Sequence, residues 1–105
     1  MTATGWHGGP SDKYSAAGYG IRISRSDRDT HFDENWESVT LELEGAGEVR
    51  VTVSDSFWSG CTELRLAQIG RWMLDRGLAP WPKGDPPKFD LEPIGEATFR
   101  LRPRK

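Results

Sequence analysis

The segment GLAPWPKGDPPKF, residues 77–89, places an aromatic side chain between cations in a stretch stiffened by prolines. Trp81, Lys83 and Lys88 share it with four prolines and two glycines. An indole can stack on a nucleobase while nearby lysines contact phosphate. A rigid loop also loses less entropy when it binds. We therefore predict a binding loop centred on Trp81. The structural alternative is that the prolines stiffen a crossover and Trp81 plugs one end of the core.

The segment before this loop predicts a helix over residues 61–77 that carries a second unusual tryptophan. Steps of about 100° per residue place an apolar arc on one side of that helix. Trp72 falls on the other side, which also holds arginines. These residues are expected to extend the surface of the loop, and they are Arg65, Arg71, Trp72 and Arg76.

The short run RSDRD, residues 25–29, is a third candidate. Arg25 and Arg28 are predicted to form a finger that reads a groove of a nucleic acid. Asp27 and Asp29 would orient the guanidinium groups or accept a hydrogen bond from a cytosine amine. The alternative is a solvated loop in which neighbouring charges cancel.

Other chemistry has weaker support in the sequence. Cys61 and His31 could form a nucleophile–base pair, but a lone cysteine is more often a small buried hydrophobe. Two histidines and one cysteine at these positions match no zinc spacing. We assign no catalytic residue, no metal ligand and no cofactor, and the sequence favours a binding module over an enzyme.

Charge is distributed unevenly along the chain, although the net charge is only −2. Residues 31–63 hold one base against eight acids, whereas residues 64–105 hold nine bases against five acids. Ten of the fourteen bases are arginine, which suits forked contacts with phosphate or base edges. The single cysteine excludes an internal disulfide and predicts a cytoplasmic protein. No apolar run is long enough to span a bilayer, so no membrane partner is expected.

Alternating apolar residues predict strands at 20–24, 38–44, 48–54, 88–93 and 97–102. With the helix at 61–77, the order is β-β-β-α-β-β. This pattern predicts an α+β fold, a small and mostly antiparallel β-sheet or half-open barrel of about five strands packed around one helix. One core is expected to hold Val39, Leu41, Leu43, Val49, Val51, Val53, Ile69, Met73, Phe89 and Phe99. Residues 1–18 lack apolar periodicity and are predicted to be a mobile leader, with residues 19–105 as the single domain.

The stretch IGRWMLDRGLAPWPKGDPPKFDLEP, followed by ATFRLR, resembles plant B3 domains and the related effector domains of some restriction endonucleases. Trp72, Leu78, Gly84, Asp85, Phe89, Leu91 and Phe99 are similar in order and type, over roughly residues 69–102. The resemblance implies a DNA-binding pseudobarrel that grips duplex DNA with two loop arms, one of them RSDRD.

Together these patterns predict a non-enzymatic module that binds nucleic acid, with DNA favoured. The predicted contact residues are Arg25, Arg28, Arg65, Arg71, Trp72, Arg76, Trp81, Lys83 and Lys88. The alternative is a protein–protein interaction or accessory domain that uses Trp81 and Trp72 as anchors.

Overall fold

The computed structural model describes residues 1–8 and 18–104, which form one small α+β domain. None of the helices in those residues is long and apolar enough to cross a membrane. The strands are β1 Thr2–His7, β2 Tyr19–Arg22, β3 Ser38–Leu43, β4 Gly47–Thr52, β5 Glu63–Arg65, β6 Lys88–Gly95 and β7 Thr98–Pro103. The helices are α1 Arg25–His31, α2 Asp55–Ser59 and α3 Ala67–Asp75.

The seven strands form one sheet in the order β4-β3-β7-β6-β1-β2-β5. Only the β3–β7 pair is parallel, and the other pairs of neighbouring strands are antiparallel. The sheet curls until its two edge strands, β4 and β5, approach each other. The result is a nearly closed barrel whose inward side chains make the core.

The strand alternation read from the sequence is confirmed in the two long hairpins. Leu41 is paired with Phe99 and Leu91 with Leu101, and all four side chains are buried. Eight of the ten predicted core residues belong to one hydrophobic cluster, and the other two, Val49 and Val53, are partly buried and pack against it.

The helices cover the two ends of this barrel. At one end Phe32, which follows α1, stacks on Phe99 at 4.7 Å between ring centroids, and Phe57 of α2 lies 5.1 Å from Phe32. At the other end α3 buries Ile69 and Met73, and Trp72 lies 5.7 Å from Phe89. Helices at both ends leave the walls of the barrel as the exposed surface.

The predicted order differs from the structure between residues 55 and 75. The helix begins at Ala67 rather than near Cys61, because Glu63–Arg65 pairs with β2 as a strand. Residues 55–59 form a separate short helix. With β5 and the additional strand β1, the sheet of the described residues has seven strands where five were predicted.

The prediction of a mobile leader over residues 1–18 is wrong for residues 2–7. These residues form β1, which lies between β6 and β2 and pairs with both. Its inward positions are Ala3 and Gly5, which are buried but too small to produce an apolar alternation in the sequence. Residues 9–17 of that prediction lie outside the described residues.

Candidate functional site

Arg28 is part of the fold and does not form a finger. RSDRD starts helix α1, whose first turn is capped by the hydrogen bond from Asp27 N to Ser24 Oγ, 3.0 Å long. The buried guanidinium of Arg28 donates to the carbonyl oxygens of Phe57 at 2.9 Å and Trp58 at 3.1 Å. These carbonyls lie in the last turn of α2 and have no partner within that helix. Arg28 therefore ties α1 to α2.

Arg25 remains exposed at the start of α1. Strand β2 runs from Tyr19, which contacts Trp81, toward α1. Arg25 lies three residues after Arg22, the last residue of β2, and lines neither of the concavities at Trp6 that are described below.

Trp72 is buried, which contradicts its predicted place on the polar side of the helix. Its side chain is 4% exposed, and its indole Nε1 donates to Glu44 O at 2.9 Å. Arg76 lies over the indole at 5.3 Å and also bonds Glu44. Arg71 pairs with Asp75 at 3.6 Å on the same helix. The turn after β3 therefore packs against a second side of α3. A helical projection of α3 alone does not show this contact.

Trp81 is half-buried, so part of its ring packs against the fold and part is exposed. Its ring makes edge contacts with Tyr19 at 5.4 Å and His7 at 6.2 Å between centroids. A Cβ atom on Gly5 would lie 3.2 Å from the indole and 2.8 Å from Pro87. The absence of that atom lets the loop cross closely over β1. The rest of Trp81 faces an open concavity.

Trp6 is the functional candidate that the sequence reasoning missed. It lies on the outward face of β1, opposite Gly20 of β2, and the guanidinium of Arg65 lies over its ring at 5.1 Å. Thr2, Thr4 and Trp6 form the outward row of β1, a polar and aromatic row that alternates with the small inward residues. That alternation was the available signal.

Two adjoining concavities meet at Trp6. The first has a volume of about 520 Å³ and the second about 640 Å³. The first is lined by Gly5, Trp6, His7, Arg22, Trp81, Lys83, Gly84 and Pro86. The second is lined by Trp6, Gly8, Gly18, Tyr19, Arg65, Leu66 and Ala67. Lys88 belongs to the same surface, because its Nζ lies 3.5 Å from Oγ1 of Thr4. Thr4 is paired with Arg22 on the neighbouring strand. We name this surface the tryptophan face and define it as Trp6, His7, Arg22, Arg65, Trp81, Lys83 and Lys88.

The tryptophan face carries more positive charge than its acids neutralise. Arg22 pairs with Glu63 at 3.4 Å, and Asp85 is exposed in the loop. Arg65, Lys83 and Lys88 form no ion pair with any residue in 1–8 or 18–104.

The wall formed by β3, β7 and β6 has the opposite character, since its arginines are paired with acids. Its pairs are Arg100–Glu42, Arg102–Glu92 and Arg104–Asp90. Arg65, Lys83 and Lys88 therefore lie unpaired beside the two partly exposed tryptophans, Trp6 and Trp81. Arg25 of α1 and Arg50 of β4 also form no ion pair with a described residue.

The two residues considered for chemistry give no further site. Cys61 is exposed and His31 is the last residue of α1. Within the described parts of the chain, no three His, Cys, Asp or Glu side chains are grouped so that they could hold a metal ion.

Comparison with known proteins identified no relative of this chain. No protein-family model, no curated protein sequence and no solved structure matches the chain.

Proposed function

We propose that this protein is a non-enzymatic module that binds nucleic acid through the tryptophan face. The observation that carries the proposal is the combination of two partly exposed indoles, Trp6 and Trp81, with three cations that no described acid neutralises. Phosphate contacts by lysine and arginine supply most of the affinity of such proteins, and aromatic side chains contact bases.

A nearly closed and mostly antiparallel barrel is compatible with the pseudobarrel that the B3-like resemblance implies. The contact residues differ from that expectation, because Arg28 is buried and Arg76 is bonded to Glu44. Arg71 lies beside the turn after β3, outside the tryptophan face. Of the nine residues first proposed, Arg65, Trp81, Lys83 and Lys88 lie on the tryptophan face. The proposal keeps these four and adds Trp6, His7 and Arg22.

The rival proposal, a protein–protein module, loses one of its two anchors. Trp72 is buried against Phe89 and its indole N–H is already bonded within the fold. Salt dependence separates the two proposals, because nucleic-acid binding releases counterions from the phosphates.

The test is a fluorescence anisotropy titration of a labelled oligonucleotide at several NaCl concentrations between about 50 and 200 mM. Affinity is expected to fall steeply with salt. Arg65→Gln and Lys83→Gln should each make the slope of log K against log salt shallower by about 1.

Arg100→Gln is the matched control, since it removes the same charge from the wall where Arg100 pairs with Glu42. Its slope should equal that of the unaltered protein. Absence of binding at the lowest salt would refute the proposed function. An equal reduction in Arg100→Gln would show attraction to net charge alone and would refute the assignment to the tryptophan face.

A further inference from the structure

The concavity between Trp6 and Trp81 has the lining of a site for a flat organic group. Two indoles and the imidazole of His7 contribute to its walls, from β1 and from the loop after α3. Flat aromatic walls favour a flat aromatic guest.

Cations stand on both sides of this concavity. Arg22 and Lys83 belong to its lining, and Lys88 lies on the other side of Thr4 from Arg22. Arg65 lies over the ring of Trp6. A ligand that has a flat aromatic group and negative charges on both sides of that group matches this arrangement. Aromatic platforms within a positive track are typical of proteins that bind single-stranded nucleic acid.

The walls of the concavity are held before any guest arrives. Gly5 N donates to Pro87 O at 2.8 Å, which fixes the end of the loop on β1. Gly8 N donates to Gly18 O at 2.9 Å, which extends the β1–β2 pairing beside Trp6 and His7. A preformed site loses little conformational entropy on binding.

A duplex cannot use this site in the same way, because each base in a duplex is already stacked between its neighbours. Only an unstacked base offers its ring face to an indole, and unstacking a paired base costs a few kcal/mol. A single strand offers such faces at much lower cost.

From these observations we infer that the concavity between Trp6 and Trp81 receives one unstacked base, and that the protein prefers single-stranded to duplex nucleic acid. The inference rests on the proposed function and names the form of nucleic acid that the tryptophan face binds.

The experiment compares one oligonucleotide of about 12 nucleotides, free and annealed to its complement, a length within the site sizes of single-strand binders. Anisotropy gives the two dissociation constants, and quenching of tryptophan fluorescence reports stacking. The single strand should bind more tightly than the duplex. Trp6→Ala and Trp81→Ala should each weaken single-strand binding by about 5- to 150-fold, the equivalent of one base–aromatic stack.

Conservative variants separate stacking from structure. Trp6→Phe and Trp81→Phe keep a stacking ring and should retain most of the single-strand affinity. Trp36→Phe is the control, because Trp36 contacts Phe32 and Phe99 at the other end of the barrel. If Trp81→Ala unfolds the domain, Trp6→Ala still tests the inference, since Trp6 lies outside the barrel.

The possible results separate this inference from the proposed function. Equal affinity for single strand and duplex, or equal losses for both in Trp6→Ala, would overturn the inference and leave nucleic-acid binding in place. Absence of binding to either form would overturn both.

Discussion

Arg28 joins two helices that are thirty residues apart in sequence. Arg28 lies between Asp27 and Asp29 in the sequence. The composition of this charged segment does not distinguish an exposed loop from a segment that is packed into the fold. Arg28 donates hydrogen bonds to the carbonyl oxygens of Phe57 and Trp58. Nothing in the sequence around Arg28 indicates these partners. The same reason explains the error at Trp72, whose partner Glu44 lies in another element.

Replacement of Arg28 by alanine should lower the free energy of unfolding by about 1.5–3 kcal/mol, since a charged donor to buried carbonyls is lost. Urea denaturation followed by circular dichroism measures this change. Arg25→Ala, which removes an exposed arginine from the same helix, should alter stability by no more than about 0.5 kcal/mol. Equal effects of the two substitutions would contradict the structural role of Arg28.

Strands were predictable from the sequence where large apolar residues alternate. This holds for β3, β4, β6 and β7, whose inward positions carry valine, leucine and phenylalanine. It fails for β1, because Pro87 and Trp81 occupy the space that a side chain at Gly5 would fill. It also fails for β5, which is only three residues long. The site was therefore predicted at Arg65, Trp81, Lys83 and Lys88, and its β1 part, Trp6 and His7, was missed with the strand.

The placement of β1 inside the sheet gives a test at adjacent positions. Ala3 is fully buried and Thr2 points outward, so Ala3→Asp should lower the free energy of unfolding by more than about 2 kcal/mol, because it buries a carboxylate. Thr2→Asp, which adds the same charge on the outer face, should cost far less. Thermal denaturation compares the two variants. A mobile leader would give nearly identical melting temperatures for both.

The uneven distribution of charge along the sequence is partly compensated by ion pairs between distant segments of the fold. Acids of the middle segment, including Glu42, Glu44 and Glu63, pair with arginines from other parts of the chain. In the basic second half, these acids pair with Arg76 and Arg100, whereas Arg71, Arg102 and Arg104 pair with acids of their own half. The position of the remaining cations depends on which strands are neighbours, and the sequence alone does not determine that order.

The same strand order implies slow folding. β1 pairs with β6 across more than eighty residues, and the parallel β3–β7 pair also joins distant segments. Proteins dominated by such non-local contacts fold in milliseconds to seconds. Stopped-flow refolding monitored by tryptophan fluorescence should show a main phase in that range, with the same rate by far-ultraviolet circular dichroism. Complete refolding within microseconds would contradict this strand order.

Because β6 pairs with both β1 and β7, the start of β1 and the end of β7 lie close enough to be joined by a short linker. Thr2 and Arg102 both pair with Asp90, one on each side, so they lie about two strand spacings apart, or about 10 Å. A linker of about four to six residues spans that distance. New termini could then open in the exposed turn between β3 and β4, where Ala46 is accessible. A circular permutant of this kind would keep every strand neighbour and would move the chain ends away from Trp6 and Trp81.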